Sequence, residues 1–274
     1  GWSLFGGVAN MGASQGLNIL LNLFFGVTVN AAMGIANQVQ TAVYSFVGNF
    51  QTAFNPQIVK SYASGDRSYF IDLIMRTSKY SYFLLFAISL PLYICCEEVL
   101  SIWLGEVPAY TASFCRLMII FSLLDAIQGP LWVSVQATGK IRDYQILMSV
   151  MILSNLPLSY LFLRMGYVPE VVLVIRCLLN FFTLFVRLWY LLRLYDFPAW
   201  RYLREVIGRV IMVTAVVYPI VYLPLETMGF AWKIILLGMI SLLMDGLAMY
   251  YLGLDRKERK LLASQLKKIY EKYK

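Results

Sequence analysis

Three charged side chains, Arg116, Arg176 and Asp125, stand inside long apolar runs of this sequence. At bilayer depth a charge costs about 2.5–3.5 kcal/mol on insertion scales, so it faces a cavity or a partner. Arg116 and Arg176 fall one or two turns inside the ends of their runs. A guanidinium placed there can line a cavity and grip an anion, bidentately if that anion is a phosphate. It can equally snorkel to the interface or form a structural pair. Asp125, close to Gln128, Gly129 and Pro130, has the character of a proton- or cation-coupling carboxylate. Its alternatives are pairing with an arginine, or capping backbone groups freed by Pro130. Asp245 reads as a helix-contact residue in the last apolar run. The amides Asn37, Gln40, Gln51 and Asn55, with Tyr44 among them, recur at helical spacing and put a polar stripe on one helix face. A water-filled cavity whose ligand carries hydroxyls would use such a stripe. Interhelical hydrogen bonds, worth roughly 0.6 kcal/mol each, would use it too.

Much other chemistry is excluded. The chain has no histidine, which removes His metal ligands, His general bases and Ser-His-Asp triads. Its four cysteines, Cys95, Cys96, Cys115 and Cys177, lie in apolar stretches without C-x-x-C spacing and read as buried packing. There is no P-loop, dinucleotide fingerprint or G-x-S-x-G. We therefore expect no enzymatic activity, no metal and no bound cofactor, with any driving energy coming from an H+ or Na+ gradient or from the substrate. The net charge of +8 does not point to nucleic acid, because the basic residues sit in short connections between apolar blocks.

The elements that must position these residues are membrane helices. Of 274 residues 60% are hydrophobic and 14% charged, where soluble domains carry roughly 45–50% and about 25%. The apolar residues come in blocks of the length that spans a bilayer, without the alternation of barrel strands. The expected fold is an all-α integral membrane bundle of about eight helices. They cover residues 4–27, 31–59, 78–97, 111–137, 144–164, 169–193, 205–225 and 231–252, and a basic tail follows at 255–274.

The basic residues set the topology. Lys60, Arg67, Arg76 and Lys79 fall between the second and third helices, and Lys140 and Arg142 between the fourth and fifth. Arg187, Arg193, Arg201, Arg204 and Arg209 flank the sixth and seventh, and eight more occupy the tail. All of these connections belong to one side, expected to be cytoplasmic together with both ends of the chain. The opposite side has only Arg164 and Lys233 in its loops, with Arg116 and Arg176 near it inside helices, and carries Glu97, Glu98 and Glu106. Trp2, Trp103 and Trp200 sit where an interfacial belt predicts. In the tail, Leu262, Leu266, Ile269 and Tyr273 make a narrow apolar stripe, for either a surface-lying amphipathic helix or a solvated one. The start at Gly1, with no initiator Met and no basic n-region, reads as a piece of a longer protein.

Four segments resemble a known family. The run LNLFFGVTVNAAMGIANQ ending at Gln38, FNPQIVKSYASGD (Phe54–Asp66), VLSIWLGEVP (Val99–Pro108) and ATGKIRDYQI (Ala137–Ile146) are similar to helix-end segments of bacterial Wzx-type lipid-linked oligosaccharide flippases. Those flippases belong to the superfamily that also holds the MATE multidrug exporters. The resemblance covers residues 4–165 well and the rest by helix count. It implies a MATE-like C-terminal six-helix transport lobe at 1–195 and two additional helices at 196–254, with the N-terminal lobe outside this sequence. It further implies transport of an undecaprenyl-pyrophosphate-linked oligosaccharide across the bacterial inner membrane, for O-antigen or other surface polysaccharide of the lipopolysaccharide type. Partners would be the lipid-linked substrate, membrane lipid and the polysaccharide-assembly machinery, not nucleic acid. Arg116, Arg176, Asn37, Gln40, Gln51 and Asn55 would line the cavity, and Asp125 would be the ion- or proton-coupling candidate. A cation-coupled multidrug exporter on the same fold is the alternative.

Overall fold

A computed structural model describes residues 2–222, 230–255 and 258–259. Among the described residues every regular element is a helix: α1 (Trp2–Phe25), α2 (Val27–Ala63), α3 (Arg67–Ile94), α4 (Cys96–Leu104), α5 (Thr111–Thr138), α6 (Arg142–Leu153), α7 (Asn155–Arg164), α8 (Val171–Tyr195), α9 (Ala199–Tyr202), α10 (Gly208–Tyr222) and α11 (Phe230–Ala248). A π-helical turn, Leu203–Ile207, joins α9 to α10, and a second, Met249–Gly253, extends α11.

Local chemistry explains the boundaries. α1 stops before Gly26 and α5 before Gly139, at φ 80° and 73°, a left-handed conformation that glycine adopts without steric cost. Asp66 caps α3 by accepting the Tyr69 N–H at 3.0 Å, satisfying one orphan donor of the first turn. Two expected boundaries move. α2 runs past the expected 59: Pro56 lies inside the helix, which continues to Ala63. α3 begins eleven residues before the expected 78. Its polar start is helical because its charges find partners, Arg67 with Asp196 at 3.6 Å and Asp72 with Arg201 at 3.1 Å. Proline accounts for one break. The ring of Pro157 opposes the carbonyl four residues back, at Leu153, where α6 gives way to α7.

Four helical stretches are long and apolar enough to cross a membrane: Thr111–Thr138, Arg142–Arg164, Val171–Tyr195 and Ala199–Tyr222. α3 and α4, bent by 74°, make a fifth if taken as one span. α1 and α2 are long enough but too polar, since Asn10, Ser14, Gln15, Asn18 and Asn22 interrupt α1 and amides recur through α2. α8 is apolar on its outer face, and part of its inner face is polar. Leu178, Phe181, Phe182, Phe185, Trp189 and Leu192 face outward and exposed, while its inward face carries arginine and asparagine. Such a helix belongs to a membrane protein.

The connections sort to two ends. At one, Arg142 stacks on Trp2 at 5.2 Å, Tyr190 Oη donates to the Lys140 carbonyl at 3.5 Å, and Arg67 meets Asp196. At the other, Ser113 Oγ donates to Glu170 at 3.1 Å and Arg116 pairs with Glu97 at 3.1 Å. α1 approaches α6 so closely that a Cβ on Gly6 would lie 1.5 Å from Gln145 Nε2. Gly6 is thus fixed by packing. The stripe Leu262, Leu266, Ile269 and Tyr273 lies outside the described residues.

Candidate functional site

A cavity of about 120 Å³ opens between α1, α5, α6–α7 and α8. α8 supplies Arg176, Asn180, Thr183 and Arg187, at i, i+4, i+7 and i+11, one helical face. α1 adds Asn10 and Ser14, α5 adds Phe121 and Asp125, and α7 adds Asn155. Arg176 stacks over the Phe121 ring at 4.2 Å, and its Nη1 lies 3.7 Å from Met118 Sδ. Arg187 donates from Nη1 to the Gln128 carbonyl at 2.8 Å, and its Nε is buried without a hydrogen-bond partner. The two arginines are eleven residues apart, about 16 Å along the axis at 1.5 Å per residue. Asp125 lines the space on the facing helix, with Tyr44 of α2 beside its carboxylate. Among the described residues no carboxylate lies within 4 Å of either arginine. Two guanidiniums against one carboxylate leave the cavity net positive, with Asn and Thr groups ready to meet hydroxyls.

The wall is shaped by Pro130. Having no N–H, it leaves the carbonyl four residues back, at Ala126, without its helical donor. Gln51 Nε2 from α2 fills that vacancy at 2.9 Å and also donates to Ser81 Oγ at 3.0 Å. The next two carbonyls are met by other elements: Ile127 accepts from Tyr202 Oη at 2.9 Å and Gln128 from Arg187. Gly129 makes room for this, because a Cβ there would lie 2.4 Å from Gln51 Oε1. Gln128, itself buried, donates to Asn180 Oδ1 of the cavity wall. The proline frees the Ala126 carbonyl, and side chains of three neighbouring elements bond successive carbonyls of α5 at this point.

Of the residues expected from sequence, Arg176 and Asp125 reach the cavity. Arg116 does not: it pairs with Glu97 and donates from Nε to the Tyr93 carbonyl at 3.3 Å, tying α5 to α4 and to the end of α3. Gln51 spans α2, α3 and α5 as a structural donor. Asn55 Oδ1 is buried without a partner, and Asn37 and Gln40 are half-buried on α2; none of the three lines this cavity. Asp125 does not cap the groups freed by Pro130, which Gln51 serves instead. Arg187, counted in sequence as a basic flank, is a cavity residue. Its signal was present in the spacing Arg176, Asn180, Thr183, Arg187. Asn10, Ser14 and Asn155 had no comparable signal, since amides and hydroxyls at single positions are common in packed helices.

No family model, curated protein or solved structure matches the chain. Among the described residues no group of three carboxylate or thiol side chains could hold a metal ion.

Proposed function

We propose that this chain is the helical transport unit of a flippase that moves an undecaprenyl-pyrophosphate-linked oligosaccharide from the cytoplasmic to the periplasmic leaflet of a bacterial inner membrane. The observation that carries this reading is the cavity with Arg176 and Arg187 against the single carboxylate of Asp125. A polyanionic headgroup cannot cross a low-dielectric path unaccompanied. Guanidinium, charged at any depth and planar, is the group suited to hold phosphate. A space of about 120 Å³ suits one phosphate-sized group, so the glycan must lie elsewhere. The exposed face of α2, with Gly34, Gln38, Thr41, Ser45, Asn49 and Thr52, is polar and small along its length, which suits a hydrated path. Lobes rocking about a fixed site would give alternating access, both ends of the chain lying on the cytoplasmic side. No covalent chemistry is needed, and Asp125 remains the candidate for H+ or Na+ coupling.

Asp125 in the cavity is also what a cation-coupled multidrug exporter would show, and one experiment separates the two. In a flippase-null strain, export of surface polysaccharide should fall about 10- to 100-fold with Arg176→Ala or Arg187→Ala, the effect expected from losing a charged hydrogen bond. Membrane abundance should stay normal. Full export by the double alanine variant removes the anion site and the flippase reading with it. Loss of drug tolerance in Asp125→Asn, with polysaccharide export intact, would select the exporter.

A further inference from the structure

Two of the four cysteines meet at the end of the molecule where Arg116 pairs with Glu97. Cys96 opens α4 and Cys115 lies in the second turn of α5, and both side chains are buried. Three contacts hold them together. The Cys96 thiol donates to the Ala112 carbonyl at 3.7 Å, one helical turn before Cys115 and on the same face of α5. It also interacts with the Cys115 thiol itself. The residues that follow the two cysteines, Glu97 and Arg116, pair at 3.1 Å, so the two helices approach each other at these positions. Leu100, Phe114 and Met118 share the apolar cluster that contains both sulfurs. Packing alone gives a buried cysteine no reason to face a second one, whereas these two are set against each other from different elements.

We propose that Cys96 and Cys115 are joined as a disulfide in the cell, a covalent tie between α4 and α5. The proposal rests on placement in a bacterial inner membrane with this end outward, as the charge bias orients it, and not on what the Arg176 cavity transports. An outward-facing pair of thiols stands in the periplasm, an oxidising compartment in which disulfides form and persist. The oxidant is the disulfide of a thiol–disulfide exchange protein. One cysteine, as thiolate, attacks that disulfide and displaces one of its sulfurs, giving a mixed disulfide. The second thiolate then displaces the other sulfur and closes the bond. One S–S bond forms in this chain and one is lost from the oxidant. Two electrons pass to the oxidant, and the two protons released here end on its sulfurs. Because both cysteines are buried, the finished bond is shielded from reductant while the fold is intact.

The test traps thiols in cells that express the full chain. Acid quenching, then N-ethylmaleimide in denaturant, blocks every thiol present at that moment. Cleavage after glutamate separates the two cysteines, because Glu98 and Glu106 lie between them. Mass spectrometry without reductant should find the Cys96 and Cys115 peptides joined, and dithiothreitol should split them. The joined species should persist in Cys95→Ser and vanish in Cys115→Ser. In detergent, Cys96→Ser and Cys115→Ser should each lower Tm by about 5–10 °C, with little further loss in the double variant, since both remove the same bond. N-ethylmaleimide on both Cys96 and Cys115 of the wild type overturns the proposal, and that result needs no variant to fold. A joined species that depends on Cys95 overturns it as well. Impermeant-maleimide labelling of a cysteine placed at Glu106, read in parallel, shows whether such a failure lies in the orientation or in the contact, and surface-polysaccharide export reports separately on transport.

Discussion

Gln51 and Pro130 are two parts of one contact, although they lie 79 positions apart in different helices. The proline removes the Ala126 carbonyl's donor and the amide replaces it at 2.9 Å. Gln51→Leu should leave that carbonyl buried and unpaired, costing about 1–3 kcal/mol and lowering Tm by several degrees. Pro130→Ala restores the missing N–H, so the double variant should recover part of the loss. A double-mutant cycle should show coupling of about 0.5–3 kcal/mol, and strict additivity would remove the link between the two. At the cavity, Arg176→Lys retains charge but loses both the planar fork and the stacked contact with Phe121. Export should therefore fall about tenfold or more even with a cation present. Wild-type export by that variant would mean that Arg176 acts only as a point charge.

Helix ends marked by backbone chemistry are legible in the sequence: glycine and the Gly-Asp step are turn signals, and Gly139 closes α5 while Gly65-Asp66 separates α2 from α3. Ends inferred from polarity were not. Arg67, Asp72 and Arg76 look like a connection, yet they form the first turns of α3 because partners from α8, α9 and the segment after α11 neutralise them. Local sequence carries no trace of a partner that far away in the chain. The same blindness sorted Arg187 to a flank and Arg116 to a cavity, whereas Arg187 lines the cavity and Arg116 pairs with Glu97. The segment past α11 offers a pH test of such pairing. Burial alone would raise the Asp255 carboxyl, but its bond to Arg209 and the nearby charges of Arg209 and Lys79 outweigh that and hold it below the usual carboxylate range. A depressed carboxylate stabilises the fold above its unfolded pKa, about 3.9. That contribution is lost as pH falls through the folded value. Wild type should thus be more stable than Asp255→Asn at neutral pH, with the gap closing in acid below pH about 4. A gap independent of pH would show that the ion pair contributes nothing.

At the scale of the molecule, the charge pattern and the packing agree on how the connections divide. Sequence assigned the links carrying Arg67, Lys140, Arg142 and Arg201 to one side, and the structure joins them at one end, through Arg142 on Trp2, Arg67 on Asp196 and Arg201 on Asp72. Glu97 and Glu170 gather at the other end with Arg116 and Ser113. The positive-inside bias orients the two ends, because Lys and Arg in short loops resist translocation. The basic end should therefore be cytoplasmic, and the end bearing Glu106 should face outward. Single cysteines placed at Glu106 and at Lys140, both exposed, test this in a background lacking Cys95, Cys96, Cys115 and Cys177. In intact cells an impermeant maleimide should label position 106 fully and position 140 only after the membrane is opened. Labelling at 140 alone inverts the molecule. Labelling of both positions in intact cells would place them at the same end, which the single span of α5 between them forbids.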